Sequence, residues 1–128
     1  ALAAAEGADV VIGEGAGGLL VPLTPGYLMR DYALDLGLPV VIAARPGLGT
    51  INHTLLTIEA ARAAGLRVAG VVLTPWPPEP DPMLRSNREA ITSLGGVQVA
   101  GLPTVGVAVA ELAASGATLP LDRWFAAT

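Results

Sequence analysis

Four short apolar runs constrain this chain more than anything else in it: Val10–Ile12, Leu38–Ala43, Val68–Leu73 and Val97–Gly101. Each is too short for a helix, is rich in β-branched residues or apolar alternation, and runs into a turn containing Gly or Pro, so each reads as a strand. The stretches between them carry helical periodicity. Strands that alternate with helices at this spacing form βαβ units, which require a parallel sheet covered on both faces. The exits after Ile12, Ala43, Leu73 and Gly101 then open on one rim, where ligands of open α/β sheets collect.

The helical stretches follow from spacing and caps. Ala1–Glu6 reads as the last turn of a helix closed by Gly7, so the chain is expected to be the C-terminal part of something longer. It also begins with Ala rather than Met. Leu19-Leu20-Val21 is an apolar piece stopped by Pro22, and Thr24-Pro25-Gly26 makes a turn. Tyr27–Leu36 reads as a helix with Tyr27, Leu28, Tyr32 and Leu36 along one face and Arg30, Asp31 and Asp35 facing water. Ile51–Ala64 reads as a second helix, with Ile51, Leu55, Ile58 and Ala61 on one side, Thr50 or Asn52 as its cap and Gly65 closing it. Met83–Leu94 is a polar-faced helix carrying Arg85, Asn87, Arg88 and Glu89. Val107–Ala114 has helical character, and Leu119–Phe125 is a short apolar end.

Composition narrows the class. The 128 residues fit a single α/β domain, with enough apolar sequence for a real core. There is no cysteine, which excludes a disulfide framework and a thiolate zinc site and suits a reducing, cytoplasmic setting. Seven basic residues against eleven acidic ones give a net charge of -4 with no basic block, which argues against nucleic acid as a partner. The longest uncharged run, Ala90–Ala110, is interrupted by Gly95, Gly96, Gly101, Pro103 and Gly106, so it reads as loops and a strand rather than a membrane span. No signal peptide is legible in these residues, because Glu6 follows directly on the first alanines. Every basic residue except His53 is arginine. A Gly-rich phosphate loop with its lysine is therefore absent from these residues.

Two places have the residue types that bind ligands. Glu14 follows the first strand and precedes Gly15-Ala16-Gly17-Gly18. A carboxylate at a strand exit reaches a metal or a substrate proton, and the glycines admit a ligand close to the backbone; the bland alternative is a solvated acid in a glycine turn. Gly47-Leu48-Gly49-Thr50 leads into the second helix, whose free N–H groups suit an anion; the bland alternative is ordinary capping. His53 has no second histidine or cysteine to share a metal, so a structural or interface role is expected. Trp76, in the proline-stiffened loop Thr74–Pro82, is open to either ligand contact or packing on the prolines.

The run Glu14-Gly15-Ala16-Gly17-Gly18-Leu19-Leu20-Val21-Pro22-Leu23, then Leu38-Pro39-Val40-Val41, Gly47-Leu48-Gly49-Thr50-Ile51-Asn52-His53-Thr54-Leu55-Leu56-Thr57 and Gly65-Leu66 with Ala69–Leu73, resembles the dethiobiotin synthase family from about Ala8 to about Pro103. The resemblance implies a P-loop NTPase-like, Rossmann-like three-layer α/β fold whose N-terminal strands are missing from this chain. It implies a ligase of biotin biosynthesis that uses ATP and Mg²⁺ to join CO2 to the two amines of 7,8-diaminopelargonate and close a ureido ring. One amine forms a carbamate, ATP phosphorylates it, and the second amine expels phosphate.

The same resemblance implies roles for residues. Glu14 is the acid near Mg²⁺ and the phosphates, serving catalysis, metal and nucleotide together. Gly15, Ala16, Gly17 and Gly18 border the substrate, with Gly17 also beside the nucleotide. In a homodimer, Gly49, Thr50, Ile51 and Asn52 of the partner bind the substrate carboxylate, which is the anion pocket already expected from the helix start. Thr74 stands where the family carries an adenine-reading Asn, and lacks that amide's paired donor and acceptor, so Trp76 or the prolines become alternative walls. Pro103 and the segment toward Glu111 neighbour the base. The phosphate loop and its lysine lie upstream in the family, so this chain alone is expected to be inactive. The alternative is a non-catalytic dimerisation or carboxylate-binding module derived from the same fold.

Overall fold

The computed structural model describes residues 6–7 and 11–126. Its elements are β1 (Pro22–Thr24), β2 (Tyr27–Leu28), α1 (Met29–Leu36), β3 (Val40–Ala44), α2 (Thr50–Ala63), β4 (Val68–Leu73), α3 (Pro82–Gly95), β5 (Val99–Gly101), α4 (Val109–Gly116) and α5 (Leu121–Trp124). β3, β4 and β5 form a parallel sheet in that order, with Ala44 paired to Leu73 and Leu73 to Gly101. The α/β architecture expected from the four apolar runs is present for three of them.

β4 is central because its sequence allows it to be. Val71 and Leu73 point to one face and meet Ile58 of α2, Ile91 of α3, and Val97 and Val99, forming the buried core. Burial of each large aliphatic side chain there contributes about 1.5–3 kcal/mol. Gly70, one residue off that register, faces the other way, and the indole of Trp124 lies over it. A side chain at position 70 would occupy the space of the ring. Arg67 donates from Nη1 to the Trp124 carbonyl at 3.0 Å, fixing α5 on this second face.

The first apolar run departs from expectation. Val10 lies outside the described residues, as do Ala1–Ala5 of the expected helix end. Val11 and Ile12 are not in a strand and are exposed, Ile12 by 87%. Among the described residues no strand pairs with this run, and an apolar run without a ladder partner has no way to satisfy its backbone inside a core. β3 is likewise less enclosed than a fully buried strand: its residues alternate between half-buried and exposed. It begins at Val40 rather than Leu38 because Pro39 has no N–H for the ladder.

Tyr27 and Leu28 are not the start of a helix. They pair antiparallel with β1 around the Thr24-Pro25-Gly26 turn, Gly26 taking φ 80°. α1 therefore starts at Met29, and its first turn is closed by Asp31, whose carboxylate accepts the Leu28 N–H at 2.8 Å. α1 has no buried residue, so the expected tyrosine face packs only partly. α3 starts at Pro82 with Asp81 as its N-cap, the Asp81 carboxylate accepting from Leu84 N–H at 2.8 Å. α4 begins at Val109 rather than Val107, and Glu111 in its first turn accepts from the Gly106 N–H at 2.8 Å.

Candidate functional site

The sheet brings three strand exits together. At the end of β4 the Thr74 N–H donates to the Ala44 carbonyl at 2.9 Å, so the loop after β3 and the loop after β4 share a base. Leu102 N–H donates to the Leu73 carbonyl, and Trp76 N–H to the Leu102 carbonyl, each at 2.9 Å, which adds the loop carrying Pro103. Thr74, Pro103 and the turn toward Gly49 thus lie on one rim, half-buried or exposed.

Gly49, Thr50, Ile51 and Asn52 form the N-terminal turn of α2. The cap is Gly49, at φ 87°, and no side chain closes it, so neither Thr50 nor Asn52 is the cap expected from the sequence. The physical reason is the backbone: a left-handed N-cap needs glycine. Thr50 is turned inward instead, buried to 5% exposure, with its hydroxyl 3.4 Å from that of buried Thr54. The Thr50 N–H donates to the Gly47 carbonyl and the His53 N–H to the Gly49 carbonyl. The amides between them, of half-buried Ile51 and exposed Asn52, belong to the first turn of the helix, where N–H groups have no intrahelical partner and the dipole favours an anion. His53 is exposed and its carbonyl accepts the Thr57 hydroxyl at 2.8 Å, in keeping with a structural place in this turn.

Glu14, Gly15, Ala16, Gly17 and Gly18 are all exposed, in a segment tied to α1. Gly15 approaches the Met29 side chain so closely that a Cβ would lie 2.9 Å from Sδ, and Gly17 at φ 76° would meet Val21 Cγ2 at the same distance. Arg30 N–H donates to the Leu19 carbonyl at 2.8 Å and Met29 N–H to Val21 at 2.9 Å, so α1 carries this segment. The close backbone approach expected of these glycines is directed, within the chain, at α1 and Val21. The structure does not bring Glu14 to the rim of β3, β4 and β5 by a strand, and among the described residues no group of three or more acidic, His or Cys side chains gathers around a metal position.

Trp76 packs. Its ring lies on Gly101 at the end of β5, where a Cβ would be 2.6 Å from Cδ1, and the Arg88 guanidinium stands 5.7 Å from the ring centroid. Arg88 Nε also donates to the Val99 carbonyl at 3.0 Å, on the outer edge of β5. Trp76, Arg85 and Arg88 line an open groove of about 490 Å³ along α3. Of the two readings left open by the sequence, packing is the one seen, with the ring on Gly101 and beside Arg88.

Two charged groups on α1 and β2 are perturbed. Asp31 is held below the usual carboxylate range, chiefly by the Leu28 N–H it accepts and further by Arg30, whose Nε stands 3.2 Å away. The Tyr27 phenol donates to Asp35, which, with the nearby carboxylate charges, pushes it up to about 12. Sequence reasoning missed Asn87, which is buried and donates from Nδ2 to the Pro46 carbonyl at 3.0 Å. The signal was available: Asn87, Ile91 and Gly95 recur every fourth residue and are the buried stripe of α3.

With that geometry in hand, comparison with known proteins becomes specific. Residues 2–106 match the family described as an AAA domain, and the chain belongs to that family. Within it, the chain is similar to the ATP-dependent dethiobiotin synthetase BioD of Rhodococcus erythropolis, 50% identical over 99 residues that cover 77% of this chain and 44% of the relative. It is 55% identical over 94 residues to the enzyme of the same name from Anaeromyxobacter dehalogenans, covering 73% and 41%. Against that of Rhodococcus jostii it is 44% identical over 124 residues, covering 96% and 53%. The chain spans about half the length of the curated relatives it matches. No helix among the described residues is long and apolar enough to cross a membrane.

Proposed function

We propose that this chain is the substrate-carboxylate and base-side portion of a single α/β domain of a dethiobiotin synthetase, acting in the cytoplasm. The whole protein would use ATP and Mg²⁺ to close the ureido ring on 7,8-diaminopelargonate and CO2. The observation that carries this reading is the N-terminal turn of α2, capped by Gly49 without any side chain, in a chain 50% identical over 99 residues to a dethiobiotin synthetase. A carboxylate is an anion that such a turn suits, because first-turn N–H groups without an intrahelical partner and the helix dipole act together.

The chain's own residues have separable tasks. Gly49, Thr50, Ile51 and Asn52 hold the substrate carboxylate and so place its two amines. In the homodimer this turn serves the partner's site; Leu48, 97% exposed, and Leu56, 56% exposed, supply apolar surface beside it. Gly15, Ala16, Gly17 and Gly18 border substrate and nucleotide by backbone. Thr74 and Pro103 neighbour the base, with the Trp76 flank beyond them. Glu14 offers one hard oxygen donor, the type Mg²⁺ takes alongside phosphate oxygens and water. Bound there, the ion would neutralise charge on the transferring phosphate. These residues hold no lysine for a Gly-rich phosphate loop, which the family resemblance puts upstream, so the 128 residues alone would not turn over.

The test is formation of dethiobiotin from diaminopelargonate, bicarbonate and MgATP by the full-length protein, read by mass. Glu14→Gln is expected to lower kcat by roughly 100-fold or more, the scale of losing one electrostatic element at a developing charge. Full activity of Glu14→Gln would remove Glu14 from the site. Activity of the 128-residue chain by itself would refute the division of labour.

A further inference from the structure

We propose that Asn87 is a positioning residue for the substrate: its amide fixes the turn that presents the α2 amides to the carboxylate. The proposal rests on the reading of Gly49–Asn52 as the carboxylate pocket. Asn87 is 9% exposed and donates across 41 residues of chain to the carbonyl of Pro46, itself buried. Pro46 lies midway between the end of β3 and the cap of α2.

Besides the Thr50 N–H on the Gly47 carbonyl at 3.1 Å and the His53 N–H on Gly49 at 3.0 Å, the turn has few ties. Gly47 has open space where a side chain would be, Leu48 is 97% exposed, and Gly49 adopts a left-handed φ. Its base is tied by the Thr74 N–H on Ala44, and its far end is already helix. Asn87 supplies the lateral tie from α3. Glycine-rich backbone has many conformations to lose, so a single buried amide decides which of them is populated. An apolar side chain would suit a buried position on α3 without burying an amide, whereas an amide both fills the site and satisfies the Pro46 carbonyl. Asn87 touches no substrate in this arrangement. It acts through Pro46 on Gly49, Thr50 and Ile51.

The experiment compares the full-length protein with Asn87→Ala and Asn87→Leu, varying diaminopelargonate and ATP separately, and follows amide hydrogen exchange without substrate. The expected result is a KM for diaminopelargonate raised roughly tenfold or more, as misplacement of a binding group produces, with the KM for ATP within about twofold of wild type. Exchange at Thr50 and His53, whose N–H groups are bonded to the Gly47 and Gly49 carbonyls, should rise while that at Ile58–Ala61 does not. An unchanged KM for diaminopelargonate, an equal rise in both KM values, or a uniform rise in exchange overturns the proposal. Asn87→Leu fills the volume that alanine leaves empty; if neither variant folds, Asn87 is a folding residue and the proposal falls. Wild-type protein that makes no dethiobiotin would instead overturn the proposed function, an outcome distinct from active variants with unaltered KM.

Discussion

Gly101→Ala isolates the contact between β5 and the loop after β4. The backbone at Gly101 is not in the left-handed region, so alanine meets no conformational penalty there, and any loss must come from Trp76. The added Cβ would stand 2.6 Å from the ring Cδ1 and 2.9 Å from Cδ2, against an optimum of about 3.5–4.0 Å. The backbone of Trp76 cannot retreat easily, because its N–H is bonded to Leu102 at 2.9 Å. The ring must rotate, at an overpacking cost of about 1–3 kcal/mol. Losing its place beside Arg88 costs about 0.5–1 kcal/mol more. Lower chain entropy in the unfolded state offsets about 0.4–1 kcal/mol of this. The net expectation is a destabilisation of about 2 kcal/mol. At roughly 4 °C per kcal/mol for a domain of this size, Tm falls by about 8 °C. Denaturant unfolding followed by circular dichroism measures it, with Trp76→Ala as the second arm of a double-mutant cycle. Without the ring, Gly101→Ala should be neutral or slightly stabilising. Equal effects in the two backgrounds would refute the contact as the cause.

Asp31 is held below its ordinary range in the folded chain, so its contribution to stability is present above its unfolded value of about 4 and is lost as pH falls below that, through the lower folded value. Asp31→Asn should remove that acid-side slope, measured as Tm against pH, and a slope that persists would assign it to another carboxylate. Tyr27, raised to about 12, has the opposite sign: its contribution is intact below pH 10 and is lost as pH climbs through 12. Asp35→Asn should move the Tyr27 ultraviolet titration back toward 10, and no movement would show that Asp35 is not its acceptor. Ile58→Ala, at a site 1% exposed in the core beside Val71 and Ile91, should cost about 2–5 kcal/mol in denaturant unfolding. A loss below 1 kcal/mol would mean the α2–sheet contact is looser than its burial.

β4 was legible to its last residue because a central strand is apolar on both faces, and Val68–Leu73 is flanked by Arg67 and Thr74-Pro75. The run at Val11 and Ile12 has the same local character without a partner, and apolarity in sequence records what a residue prefers, not whether a neighbour exists to satisfy it. Tyr27 and Leu28 fit helical spacing equally well as hairpin pairing, and only the Pro22–Thr24 strand opposite decides between them. The rim and the α2 turn were foreseeable from strand exits and glycines. Its cap was not, since Thr50 and Asn52 are better caps by type and lose to a backbone angle only glycine adopts. Asn87 was hidden by its neighbours Arg85, Arg88 and Glu89, which make α3 read as uniformly polar on that side.

The contact of Trp124 with Gly70 also bears on the order of assembly. The residues joined by the Arg67–Trp124 bond are 57 apart in the chain, and the ring can seat only on a strand that already exists. That separation exceeds the distance in sequence from β4 to either neighbouring strand, so closing this face costs more loop entropy than pairing the strands and is expected to follow them. Trp124, 2% exposed once seated, is therefore a built-in optical reporter of that closing step, while Trp76 reports on the opposite face.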